Sequence, residues 1–229
     1  MKTKEIFEIG CQKITEILSP QGFKSTKKGQ VLRKKSKNGE FVFEIYFQSS
    51  MRNWSGSVVI WPHISVSSLS LKKWQNEKYN SEEESGLIFS TKLENITPLK
   101  NKNTDWNIAL ANQDNIIPKL CELIEKYAVP VFEKFENLNN LLNDIADNSL
   151  VLNEHFDTKH QNLPIDFLIY YGSIDFAQKI FDNYLNEQKL HNKAKRVFEE
   201  MEKTGECAIK FVTDITMEKA YLNNLKIND

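Results

Sequence analysis

Five side chains able to do chemistry fall at alternating positions of neighbouring runs: Arg33, Glu44, Tyr46, Trp61 and His63. Folding the chain about Asn38-Gly39 sets Arg33 opposite Glu44, Leu32 opposite Ile45 and Val31 opposite Tyr46. A cation then meets an anion beside two aromatic rings and an imidazole. That mixture suits recognition. Tyr and Trp bury much area at little entropic cost and keep a polar end. The imidazole would couple an encounter to pH near about 6.5. Two readings of this face stay open: an interaction surface for a protein partner, or a layer covered by helices of the acidic half.

A second group is basic. Lys24, Lys27, Lys28, Arg33, Lys34, Lys35 and Lys37 form a run of positive charge with no acid inside it. Beside Tyr46 and Trp61 it offers single-stranded nucleic acid both charge and stacking. The same lysines would guard an exposed sheet edge against pairing with another chain. Edge protection is the favoured expectation, because Arg33, Arg52 and Arg196 are the only arginines. Phosphate and base recognition favours planar, bidentate Arg. Residues 1–110 hold 17 Lys and Arg against 11 Asp and Glu, and residues 111–229 hold 13 against 20. Attraction within the molecule accounts for that asymmetry more simply than an acidic partner does.

The remaining reactive types read as structural. Glu154, His155, Asp157 and His160 lack the helical spacing that sets two imidazoles on one face, so a solvated linker is expected there and no metal. Cys11 shares a helical stripe with Phe7, Ile14 and Leu18, and Cys121 shares one with Ile117 and Ile124. Both are expected to be buried thiols. Neither a phosphate-cradling glycine loop nor a Gly-x-Ser-x-Gly elbow occurs. No catalytic residue and no cofactor is expected, and the balance leans away from an enzyme.

The elements that must position these residues follow from periodicity. Phe7, Cys11, Ile14 and Leu18 mark an amphipathic helix after Thr3, ended by Ser19-Pro20-Gln21-Gly22. Strands are expected near 30–36, 41–49 and 57–67, the first two joined by a type I′ turn in which Asn38 and Gly39 both take positive φ. Phe41, Phe43, Ile45, Phe47 and Leu32 make one face a core. Val58, Ile60, Ile64 and Val66 continue it, and Pro62 in their phase suggests an edge strand or a bulge. A short helix over 71–79 follows, then strands at 87–89 and 106–110. A helical stretch from Asp114 is broken or kinked at Pro130 and runs on to about Asn148. After an irregular 149–163, helices begin at Pro164, Ser173 and Lys189. A short strand is expected over 208–212 and a last helix from Thr216.

The fold class is therefore α+β: an N-terminal helix, an antiparallel β-meander sheet, packed helices and a helical C-terminal extension. The expected division is 1–148 for the sheet-plus-helix domain, 149–163 for a linker and 164–229 for the extension. No run of about 18 apolar residues would span a membrane. The start of the chain lacks a secretory apolar core, so a cytoplasmic protein is expected.

Several short motifs occur in one order: Gly22-Phe23-Lys24 after an amphipathic helix, the basic hairpin, Leu87 to Leu93 leading to Asp105-Trp106, and a helix running into Val129-Pro130-Val131-Phe132. Residues 5–148 thereby resemble the bacterial domain of unknown function forty-three-oh-four. Tyr171-Gly172-Ser173-Ile174-Asp175-Phe176-Ala177 is similar to helices appended in some members. The resemblance implies an α+β fold and carries over no catalytic residues. Some small bacterial families of this kind act as immunity proteins beside toxins, which is analogy with no residue behind it. The expected function is a non-catalytic, immunity-like protein-binding module using the sheet face. The alternative is a nucleic-acid-associated protein using the 24–37 hairpin.

Overall fold

The computed structural model describes residues 1–100, 102, 104–156 and 162–228. In chain order the elements are α1 (Thr3–Leu18), β1 (Lys24–Thr26), β2 (Val31–Lys35), β3 (Phe41–Ser49), β4 (Val59–Ser68), α2 (Leu69–Tyr79), β5 (Leu87–Lys92) and β6 (Trp106–Asn107). Then come α3 (Gln113–Leu123), α4 (Val129–Lys134), α5 (Leu138–Asn148), α6 (Ile165–Tyr171), α7 (Ile174–Gln188), α8 (His191–Thr204) and α9 (Val212–Leu222). The chain forms two compact units. One comprises Met1–Ser70, Phe89–Asn137 and Leu152–Phe156; the other comprises Leu71–Ile88, Leu138–Val151 and Asp157–Asp229. The α+β class and its antiparallel sheet are as expected.

The strand order is β1-β2-β3-β4-β5, with β6 also pairing β4. Val31↔Tyr46, Leu32↔Ile45, Arg33↔Glu44 and Lys35↔Val42 face each other across β2 and β3. That is the expected register, but the turn differs. Gly39 has φ +76°, whereas Asn38 is not among the residues with positive φ. Ser36 and Phe41 close a four-residue loop instead: Ser36 N donates to Phe41 O (2.9 Å) and Phe41 N to Ser36 Oγ (2.9 Å). Gly39 N donates to Ser36 O (2.8 Å), and Asn38 Oδ1 accepts from Glu40 N (3.1 Å). Both loops are centred on the Asn38–Gly39 peptide, so the register survives the change of turn.

Alternation on β3 and β4 separates two faces. Phe43↔Val66 and Ile45↔Ile64 lie on the inner one, and these residues are buried. Helix α4 completes that layer: Phe43 stacks on Phe132 with centroids 5.1 Å apart, and Phe41 meets Phe135 edge-on at 5.5 Å. The α1 stripe Phe7, Cys11, Ile14 and Leu18 is buried as well. Gly29 is required where α1 meets the Lys27–Gly29 turn. Its φ is +85°, and a Cβ there would lie 2.9 Å from the Cys11 carbonyl carbon.

Pro62 lies in an interior strand, between β3 on one side and β5 and β6 on the other, and not at an edge. Ser50 N donates to Val59 O, while Ile108 N donates to Val58 O. Odd-numbered residues of β4 thus bond toward β3 and even-numbered ones away from it. The missing N–H of Pro62 falls on the second side, beyond the Ile60↔Trp106 pair where β6 stops.

Pro130 opens α4 after a π-helical turn, Ile124–Ala128, so the long helix is interrupted as expected. A proline has no N–H for the i→i−4 bond. Residues 208–212 form no strand, and α9 starts at Val212 rather than Thr216. Asp214 is the cause. Its Oδ2 accepts from Phe211 N (2.7 Å) and Lys210 N (2.9 Å), which satisfies N–H groups at the helix start.

The second unit combines an apolar centre (Ile180, Phe181, Leu185, Val197 and Met217) with a buried polar network. Asp166 accepts from Gln75 Nε2 (2.8 Å), Tyr79 OH (2.5 Å) and Asn223 Nδ2 (3.1 Å), with Lys219 Nζ at 3.6 Å. Burial, then the Asp166 charge, pushes the Tyr79 phenol well above its ordinary range. Such a network is stable only when its members are satisfied, because each unpaired buried polar group costs about 1–3 kcal/mol.

Candidate functional site

The outer sheet face is set by the same alternation that builds the core. Lys24↔Arg33↔Glu44↔Ser65 form one row across β1–β4. Val31↔Tyr46↔His63 form the next, and Gln48↔Trp61 a third. Arg33 Nε donates to Glu44 Oε2 at 2.6 Å. The Tyr46 and His63 rings lie 6.2 Å apart, and His63 Nε2 is 2.9 Å from Gln48 Oε1. All five expected residues therefore share one face. Tyr46 is 36% exposed, while Trp61 and His63 are half-buried.

Burial first, and the Lys92 charge second, holds the His63 imidazole below its usual pKa. Near neutrality it is the uncharged ring that meets Gln48. Trp61 spends its indole N–H on Asp105 Oδ1 at 3.0 Å. Alternation could have found Gln48, which continues the Glu44, Tyr46 phase. Asp105 carries no such signal, because a distant strand end brings it to Trp61.

The basic run does not gather on one face. Lys24 and Lys35 lie on the outer face with Arg33, and Lys34 takes the opposite phase. Lys28 Nζ sits 3.1 Å from both Glu8 carboxylate oxygens, and Arg33 is bound to Glu44. Lys27 and Lys28 both have positive φ, in a turn that packs on α1. Lys37 N donates to Glu136 Oε2 at 2.8 Å. Strand β1, only three residues long and exposed at each of them, is the edge these lysines flank.

Cys11 and Cys121 are buried, and burial, followed by a neighbouring glutamate charge, pushes each thiol up to about 12. A thiol that far above neutrality supplies almost no thiolate. Of the metal-like cluster, His155 Nε2 lies 3.4 Å from Glu154 Oε1 and its ring meets Tyr127 at 5.4 Å. Asp157 and His160 lie outside the described residues. Among the described residues, no three His, Cys, Asp or Glu side chains gather where they could hold a metal ion, and no helix is long and apolar enough to cross a membrane.

No curated protein and no solved structure matches this chain. A family does. The model of the domain of unknown function DUF4304 matches residues 14–134, more than half of the sequence, and the chain belongs to that family.

Proposed function

We propose that this member of the DUF4304 family is a non-catalytic protein-binding module, and that a protein partner docks on Arg33, Glu44, Tyr46, Trp61 and His63. One observation supports the reading above the rest. Tyr46 is 36% exposed at the centre of a face whose polar neighbours are already bound to one another. Side chains held in place before docking lose less freedom on docking, and the exposed Tyr46 with the half-buried Trp61 supplies the area. The partner pictured is a protein with a mixed polar and aromatic surface, held one to one in the cytoplasm in the manner of an immunity protein. The nucleic-acid reading ranks second, because Lys28 and Arg33 are neutralised locally and Lys34 takes the other phase.

Photo-crosslinking tests the reading. Benzoylphenylalanine in place of Tyr46 should attach one protein in stoichiometric yield, and Trp61→Ala in the same chain should abolish the adduct. Cross-links to nucleic acid, or a yield unchanged by Trp61→Ala, would contradict it.

A further inference from the structure

In the second unit the stretch from Glu206 to Lys210 runs without a bend or a turn between Gly205 and Phe211, the residue before α9. Ile209, Phe211 and Val212 are residues that favour a strand, yet the stretch pairs with no strand among the described residues. One of its edges is tied down. Ala208 N donates to Glu200 Oε1 at 3.3 Å and Lys210 N to Asp214 Oδ2 at 2.9 Å, both within the same unit. Successive N–H groups of an extended chain point to opposite sides. Those of Cys207 and Ile209 therefore point away from these carboxylates, and neither meets an acceptor among the described residues. Ile209 is 47% exposed and Phe211 63%. An open strand edge beside exposed apolar side chains is a template for another strand.

We propose that this edge pairs with the same edge of a second copy of the chain, as two antiparallel strands related by a two-fold axis through Ala208. Glu206 then faces the second copy's Lys210 and Lys210 faces its Glu206, so an acid meets a base at each end of the pair. Cys207 faces the second copy's Ile209, and these are the residues whose N–H groups are open. Each such pair exchanges two hydrogen bonds, as alternate pairs of an antiparallel ladder do, which makes four in all. The even-numbered residues, whose N–H groups are already spent on Glu200 and Asp214, fall at the positions that need none. Centring the pair on Cys207 or Ile209 keeps the hydrogen bonds but sets Glu206 and Lys210 opposite uncharged residues. A strand from another protein would find the same hydrogen bonds, and the charge match is what selects a second copy. Five residues a side fall well short of the roughly 1,200 Å² of a stable interface, so the pair is weak and reversible. No residue of the docking face lies in this segment, and either proposal can fail while the other stands.

The test is sedimentation velocity on the full chain from about 10 μM to about 1 mM, the range of weak complexes. A reversible monomer–dimer equilibrium is expected. Ile209→Pro removes one outward N–H from each copy, hence two of the four bonds, at an exposed position where folding is not at stake. It should raise the dissociation constant about tenfold or more. Glu206→Lys and Lys210→Glu should each lose self-pairing, while an equimolar mixture of the two should form a heterodimer, because every acid again meets a base. A cross-link fixes the register. In a Cys207→Ser chain, Ala208→Cys should give a disulfide-linked dimer under oxidised glutathione, since facing residues at the positions without hydrogen bonds lie about 4.5 Å apart at Cα. Ile209→Cys in the same chain should cross-link far more slowly. A chain still monomeric at about 1 mM, whether or not a foreign peptide takes the edge, would overturn the proposal. So would a dimer indifferent to Ile209→Pro, a mixture that fails to pair, or cross-linking no faster from Ala208→Cys than from Ile209→Cys.

Discussion

The two faces of the β2–β4 sheet come from the same residues in alternation, yet their side chains serve opposite ends. The inner face is aromatic and closed, with Phe43 stacked on Phe132 and Phe41 edge-on to Phe135. The outer face is half-open and its polar groups are paired among themselves, Arg33 with Glu44 and His63 with Gln48. Inside, energy comes from area removed from water and from close packing. Outside, the neighbouring pairs contribute little to stability and hold a defined surface. A substitution should therefore be felt as lost stability on one face and as lost affinity on the other.

The largest effect should come from the inner face. Phe43→Ala should cost about 3–5 kcal/mol in chemical denaturation, the usual range for a truncated core aromatic. A loss below about 1 kcal/mol would erase the distinction between the faces. Next is Trp61→Ala, which should cost the partner about 2 kcal/mol or more of binding free energy, as an aromatic anchor does. A smaller change belongs to His63. Because its folded pKa is lowered, the unfolded chain takes up a proton first as pH falls below about 6.5. Stability should be full above that value and should decline from there down to the folded pKa. Denaturation midpoints across this range should show the decline, and His63→Gln should remove its share of it. The smallest is the Arg33–Glu44 pair, half open to solvent, for which a double-mutant cycle should return about 0.2–1 kcal/mol. A coupling well above that would mean the outer pair is a structural brace.

Much of this contrast was legible in the sequence, because period-two alternation and a turn centred on Asn38-Gly39 determine which residues share a face. The turn type was not, since Ser36 Oγ competes for Phe41 N and lengthens the loop without shifting the register. Pro62 misled for a similar reason. A proline is tolerated wherever its nitrogen side has no strand to bond, which an interior strand can also provide, and here that side lies beyond the Ile60↔Trp106 pair where β6 ends. The early start of α9 depends on one carboxylate, Asp214, accepting from N–H groups that precede the helix. Of the candidate site, the five outer residues could be read from phase. Asp105 could not, because the folded chain alone sets it against Trp61.

The central claim is that the outer face spends its aromatics on a partner and not on the fold. The most direct measurement pairs two numbers for Trp61→Ala: the dissociation constant for the protein cross-linked from position 46, and the free energy of unfolding. The account predicts a loss of affinity of about thirtyfold, which corresponds to about 2 kcal/mol, with unfolding changed by less than about 1 kcal/mol. Unchanged affinity together with a loss of several kcal/mol in stability would contradict it, and would make the outer face a second core.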